Sequence, residues 1–225
     1  MKDIIKQNSA SLIIFARHPK NGNVKTRLVK TLGAEKATEF YRLCAEHLFQ
    51  ETENLPPEIK RYIYFDGIEN EYRLQAWAGA GFDYVVQTVG SLGHRLENAF
   101  STQFTRGARK VLIVASDVPD ISSSIIVKAF RSLDNHEIVI GPCHDGGYYM
   151  IGMKKLHRDI FDGIPWSTSQ VYAHTLTNIN KLGISFYQLR SLYDIDTEED
   201  LNQWSKTIIT PETPLGEFVK RQGHN

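Results

Sequence analysis

Four basic side chains crowd one short loop. Arg17, Lys20, Lys25 and Arg27 fall within Arg17-His-Pro-Lys-Asn-Gly-Asn-Val-Lys-Thr-Arg-Leu28, together with Pro19 and Gly22. Lysine and arginine bring charge to a phosphate, arginine as a bidentate fork, and backbone N–H groups come close near a glycine. Read alone, the loop is equally a solvated basic turn. Three carboxylates follow far downstream: Asp117 in Ser116-Asp-Val-Pro119, and Asp194 and Asp196 in Tyr193-Asp-Ile-Asp196. These are hard oxygen donors, and Mg²⁺ or Mn²⁺ takes one or two carboxylates with substrate phosphate and water. In His144-Asp-Gly-Gly147, Asp145 can accept hydrogen bonds from sugar hydroxyls or a base edge. Gly146 and Gly147 lack side chains, so a nucleotide or sugar can lie against the backbone. Arg95, soon after Gly93, is another phosphate candidate, and Tyr148 and Trp166 read as half-core, half-pocket aromatics.

Each residue also has a plainer reading. Asp117 before Val-Pro can form a turn. Asp196 can cap the helix that follows it, and Asp194 is the weaker candidate for the same metal. The Gly146-Gly147 pair can be a hairpin turn, and Arg95 a solvated helix residue.

The elements that must position these residues alternate along the chain. Ser11–Ala16 is the first strand. Ala37, Phe40, Tyr41, Cys44 and Leu48 recur on one helical face. Strands are expected at Arg61–Phe65, Tyr84–Val89, Val111–Ala115, Glu137–Gly141, Tyr148–Met153 and Ser185–Leu189. Helices are expected at Tyr72–Ala78, around Leu92 to Phe104, and around Ile125 to Leu133. Another runs from a cap at Ser167 or Thr168 to about Leu182, with Gly183 as its C′ glycine. Thr197 is an N-cap, with Glu198, Glu199 and Asp200 in the first turn. The pattern predicts a single α/β domain over 1–225, a mostly parallel sheet with helices on both faces. Residues 1–10 are polar, and the tail over 210–225 is expected to be loose. In such sheets ligands bind outside the carboxyl ends of the strands. The Lys25–Arg27, Asp117, Asp145–Gly147 and Asp194–Asp196 groups all follow strands, so they are expected on one edge.

Bulk composition removes several classes. Lys+Arg and Asp+Glu are 26 each in 225 residues, which leaves no electrostatic footprint for nucleic acid or an anionic membrane. Apolar runs reach only about six residues, too short to span a bilayer. The first ten residues lack the apolar core of a signal peptide, so a cytoplasmic location is expected. Cys44 and Cys143 give no disulfide framework and no metal spacing. Cys143 next to His144 is a poor nucleophile pair, because adjacent residues rarely point to one place. Gly22-Asn-Val-Lys-Thr26 lacks the glycines of a P-loop, and no Gly-x-Gly-x-x-Gly exists.

A wider set of segments carries a family likeness: Phe15-Ala-Arg-His-Pro19, Gly22-Asn-Val-Lys-Thr-Arg-Leu28, Gly90-Ser-Leu-Gly-His-Arg95, Ser116-Asp-Val-Pro119, Gly141-Pro-Cys-His-Asp-Gly-Gly-Tyr148, Ile164-Pro-Trp-Ser-Thr168 and Asp194-Ile-Asp-Thr-Glu-Glu-Asp-Leu201. Together they resemble the DUF2064 family, also described as radical-SAM/selenodomain-associated transferase 1 proteins. The likeness runs from about residue 11 to 203. It implies a three-layer α/β/α sandwich of the GT-A, nucleotide-diphospho-sugar transferase type. More distantly the chain looks like the molybdenum-cofactor and phospholactate nucleotidyltransferases. By position, the resemblance implies Lys25 and Arg27 as phosphate contacts, Asp117 and Asp196 as metal ligands, and Asp145 as a substrate contact. Ser91 stands where the family often has an acid, and the first loop lacks the Gly-Gly of the classical nucleotidyltransferase signature.

The expected function is therefore a metal-dependent glycosyl or nucleotidyl transferase, using Mg²⁺ or Mn²⁺ on a nucleotide or nucleotide sugar and an unknown acceptor. Lys25, Arg27 and Asp117 would carry the chemistry; Arg17, Gly22, Arg95, Asp145, Gly146, Gly147 and Trp166 would hold substrate. A non-catalytic nucleotide-binding protein of the same fold is the alternative, and a ligand-free interaction domain the third reading.

Overall fold

The structure is a computed structural model, and residues 10–67, 71–207 and 212–223 are described. The polar segment 1–9 therefore lies outside the described residues. A single seven-stranded sheet forms, in the order β3-β2-β1-β4-β6-β5-β7. Its strands are β1 Ala10–Phe15, β2 Ile59–Phe65, β3 Asp83–Val86, β4 Lys110–Ala115, β5 Ile138–Pro142, β6 Tyr148–Met153 and β7 Phe186–Gln188. β1 pairs in parallel with both β2 and β4, Ile13 lying opposite Tyr62 and Ile113. β6 runs antiparallel to β4 and β5, while β5 and β7 are parallel. All strands but β6 thus point the same way.

The helices are α1 Val29–Leu32, α2 Ala34–Glu53, α3 Glu71–Ala78, α4 Leu92–Thr105, α5 Ser123–Asn135, α6 Val171–Lys181, α7 Glu198–Ser205 and α8 Pro214–Arg221, with a short 3₁₀ turn at Arg158–Phe161. Strand alternation divides the core in two. Leu12, Ile14, Leu112 and Val114 face α2 and α5, meeting Leu48, Phe49, Ile126 and Leu133. Ile13, Val111 and Ile113 face α4 and α6, meeting Leu96, Phe100 and Ile179. This is the expected three-layer sandwich. A third cluster covers the outer face of α2, where Phe40 packs on Trp204 and Phe218.

Several local expectations differ. The third strand ends at Val86, short of the predicted Val89, which lies beyond it in an exposed bend. Ser167 and Thr168 do not cap α6, whose N-cap is Gln170. Instead Thr168 Oγ1 donates to the Pro165 carbonyl and accepts from Gln170 N–H, closing a turn before the helix. The tail that reads as loose contains α8, which buries Leu215, Phe218 and Val219 against α2 and α7. Its Thr213 cap and Pro214 are the local start signals. Gly183, at φ +63°, follows α6 as a C′ glycine does. No described helix is long and apolar enough to cross a membrane.

Candidate functional site

The carboxyl edge of the sheet opens into a cleft of about 740 Å³, a size suited to a small-molecule ligand. Residues that follow all seven strands line it, among them Arg17, Lys25, Arg27, Arg95, Asp117, Asp145, Gly147, Trp166, Asp194 and Asp196. Gly22 and Gly146 do not reach its wall. Lys20 does not either.

At one end, the loop after β1 delivers Lys25 between two anchors, Val24 and Leu28, both buried. Lys25 sits at φ +47°, in the left-handed region a non-glycine residue seldom adopts. Its side chain is 2% exposed, and Nζ lies 2.9 Å from Asp117 Oδ2, 2.6 Å from Asp194 Oδ1 and 3.0 Å from Asp196 Oδ1. Asp117 comes from the loop after β4. Asp194 and Asp196 come from the segment after β7, where the intervening Ile195 is fully buried with Leu28 and Phe40. An inward residue between two outward ones places both carboxylates on the cleft side. Asp196 does not cap α7: Thr197 does, in a capping box with Asp200, so the Asp196 carboxylate faces Lys25. Arg27 stands outside, 66% exposed, with Nη1 3.7 Å from Asp196 Oδ2.

Burial alone would lower the Lys25 pKa, but Asp117, Asp194 and Asp196 more than offset it, so the amine is held well above its ordinary range. Asp194 is pushed up to about 7, first by burial and then by the neighbouring Asp117 charge. The three aspartates each offer one oxygen within 4.8 Å of the others. As a donor set they suit a hard divalent ion such as Mg²⁺ or Mn²⁺, and Asp194 belongs to it as fully as Asp196. Lys25 Nζ contacts the same three carboxylates.

Tyr41, on α2, reads from sequence as a core residue and turns out to brace the site. Its hydroxyl donates to the Arg17 carbonyl at 3.0 Å, accepts from Arg17 N–H at 2.7 Å and meets Ser116 Oγ at 2.9 Å. Burial, above all, pushes its pKa up to about 12. The only signal in the sequence was a hydroxyl within an otherwise apolar stripe. It joins the β1 and β4 loops next to Asp117.

The other end of the cleft is aromatic. Trp166 stacks over Gly93 so closely that a Cβ there would come within 2.7 Å of the indole. Arg95 Nη1 donates to Gln87 Oε1 at 3.1 Å, while its Nε is buried without a partner. Burial and the nearby Arg17 charge lower the Arg95 pKa. The segment 143–147 is the turn of the β5–β6 hairpin, closed by Cys143 N–H donating to the Gly147 carbonyl. Asp145 Oδ1 accepts from Gly147 N–H at 2.8 Å. Gly146, at φ +89°, presses on the Ser169 carbonyl, where any Cβ would collide. It holds the 166–170 loop rather than facing the cleft. Cys143 is buried with its thiol pKa raised, and His144 lies 4.2 Å from the Tyr193 ring, so they form no nucleophile pair.

The family model described as "Uncharacterized protein conserved in bacteria (DUF2064)" matches residues 52–168. The chain belongs to the DUF2064 family. No curated protein matches this DUF2064 chain. Among solved structures, a protein of Desulfovibrio desulfuricans G20, provisionally described as a nucleotide-diphospho-sugar transferase, is 28% identical, with a TM-score of 0.90 and 96% of each chain covered. A 4-diphosphocytidyl-2C-methyl-D-erythritol synthase of Anaerococcus prevotii DSM 20548 is 13% identical, with a TM-score of 0.55 over 86% of this chain and 92% of that one. A CMP:2-keto-3-deoxy-manno-octonic acid synthetase complexed with CTP is 13% identical, with a TM-score of 0.51 over 88% and 97%. The last two likenesses show the fold alone. At that level the DUF2064 chain has the architecture of nucleotide-related transferases.

Proposed function

We propose that this protein is a metal-dependent transferase acting on a nucleotide or nucleotide sugar. One observation carries the reading: a single cleft holds three aspartates at one end and exposed or half-buried arginines along its wall. Carboxylates alone would repel a phosphate, and arginines alone would hold one without turnover. Together they suit a substrate whose phosphates are bridged by a divalent cation. Asp117, Asp194 and Asp196 would hold Mg²⁺ or Mn²⁺, which supplies neutralising charge on the phosphate oxygens. Arg27 is exposed enough to swing onto the phosphates, and Arg17 and Arg95 extend the positive wall. Asp145 and Trp166 are placed to meet a sugar or base.

Two reactions share this machinery. In nucleotidyl transfer an acceptor oxygen attacks the α-phosphorus and pyrophosphate leaves. In glycosyl transfer the acceptor attacks the anomeric carbon and a nucleoside diphosphate leaves. In both the departing charge falls on phosphate oxygens, which the arginines stabilise. Cys143 is buried with its thiol pKa raised, which disfavours a covalent intermediate on that thiol, and direct transfer to an acceptor is the simpler reading.

Calorimetry with a panel of nucleotides and nucleotide sugars, with and without Mg²⁺ or Mn²⁺, tests the reading. Metal-dependent binding of at least one is expected, and binding of none overturns it. Binding without transfer to any acceptor favours a non-catalytic nucleotide-binding protein. Arg27→Ala should weaken nucleotide binding about tenfold, the worth of one charged hydrogen bond. Its thermal midpoint should not move, because the side chain is mostly solvated.

A further inference from the structure

Lys25 Nζ and a divalent ion would draw on the same three carboxylates. An ammonium has three N–H donors and no acceptor. Nζ has one carboxylate within 3.0 Å for each donor, Asp117, Asp194 and Asp196. It therefore has nothing left to give a phosphate while it stays there. The charges also fail to balance, since one buried cation faces three carboxylates. Arg27 is the next cation, and it is 3.7 Å from Asp196 alone and mostly in solvent. A divalent ion on the same three carboxylates would leave less uncompensated charge than the ammonium does. The backbone points the same way. Lys25 is held at φ +47°, a conformation that costs a non-glycine residue energy and persists only where its surroundings over-determine it.

We propose that Lys25 is a resident cation of the aspartate cluster, and that metal binding displaces its ammonium into the cleft, where its three donors become available to substrate phosphate. Lys25 then acts in two places in turn. Before metal arrives it holds the three carboxyl groups together; afterwards it contacts the phosphates. Metal would have to bind before Lys25 can engage the nucleotide. The inference rests on the metal-dependent reading above, and it concerns the order of events in that site.

Mn²⁺ alone is the probe, with the full chain. Two arms decide the matter. Calorimetry compares the native protein with Lys25→Met, which should bind Mn²⁺ at least tenfold more tightly because its competitor is gone. Equal or weaker binding by the variant would mean that Lys25 supports the metal site rather than competing for it, and would overturn the proposal. The second arm needs no variant and stands even if Lys25→Met does not fold. The native protein is treated with an amine-acylating reagent, and the Lys25 peptide is followed by mass spectrometry. Lys25 should be protected without Mn²⁺ and become modified as Mn²⁺ saturates, while exposed lysines react throughout. Tight Mn²⁺ binding with Lys25 still protected sinks the exchange and leaves the metal-dependent function standing. Absence of Mn²⁺ binding sinks both.

Discussion

Two charge clusters of inverse composition sit at opposite edges of the same sheet. At the carboxyl edge one lysine, Lys25, meets Asp117, Asp194 and Asp196. At the amino edge one glutamate, Glu137, just before β5, meets Lys154 at 3.0 Å, Lys155 at 3.9 Å and His157 at 3.6 Å. Each central group meets three side chains, but the central groups differ in burial. Nζ of Lys25 is sealed, so each partner must be paid for against desolvation, and Asp194 is driven toward neutrality. Glu137 keeps about a third of its side chain in water, against 2% for Lys25, and its carboxyl is held below the ordinary range first by the hydrogen bond from Lys154. Burial, not the count of opposite charges, separates a site poised for exchange from a surface network that ties strand ends together.

The largest test of that contrast is stability. Lys25→Met leaves three partly buried carboxylates without their shared cation. Breaking a fully buried pair costs about 3–5 kcal/mol, and solvent at the aspartates reduces this to about 2–3 kcal/mol. Glu137→Gln should cost less than about 1 kcal/mol. Urea denaturation at neutral pH measures both, and equal costs would erase the distinction.

A second test uses pH, where the two clusters have opposite signs. The folded protein holds the Asp194 proton more tightly than the unfolded chain does, with a pKa of about 7 against 3.8. That contribution to stability is complete below pH 3.8 and is lost as pH rises through about 7. Asp194→Asn cannot ionise, so the fall in thermal midpoint over that window should flatten. Glu137 behaves the other way: its contribution is present above the ordinary carboxyl range and disappears as pH drops through its lowered pKa. A native midpoint that instead rises steadily from pH 4 to 7 would contradict the Asp194 assignment.

Salt gives the smallest effect. In a double-mutant cycle the Glu137–Lys154 coupling should be at most about 1 kcal/mol and vanish near 1 M salt, where screening acts over about 3 Å. The Lys25–Asp194 coupling should keep most of its value, since the Lys25 side chain is only 2% exposed and bulk screening acts weakly on it.

Some features were legible because a few neighbouring residues settle them. The Thr197 N-cap and the C′ Gly183 are local backbone chemistry, and both stand where the sequence places them. The direction of β6 was within reach as well. Only 143–147 separates it from β5, too little chain for a parallel crossover. The start of α6 was not, because the 166–170 loop is held by the backbone of Gly146 from a distant hairpin. Likewise the tail over 214–221 reads as polar until α2 and α7 present an apolar face to it.

The sequence by itself determined the alternation of strands and helices, the family, and the placing of basic and acidic groups after particular strands, since periodicity, caps and motifs are properties of contiguous residues. Only the tertiary structure decided who faces whom. Lys25 and Asp194 are separated by 169 positions, and nothing in either segment says that a lysine expected to meet phosphate would be enclosed by three aspartates. That outcome depends on which loops the sheet order brings side by side and on how deeply their packing excludes water, which sets the strength of every charge in the cleft.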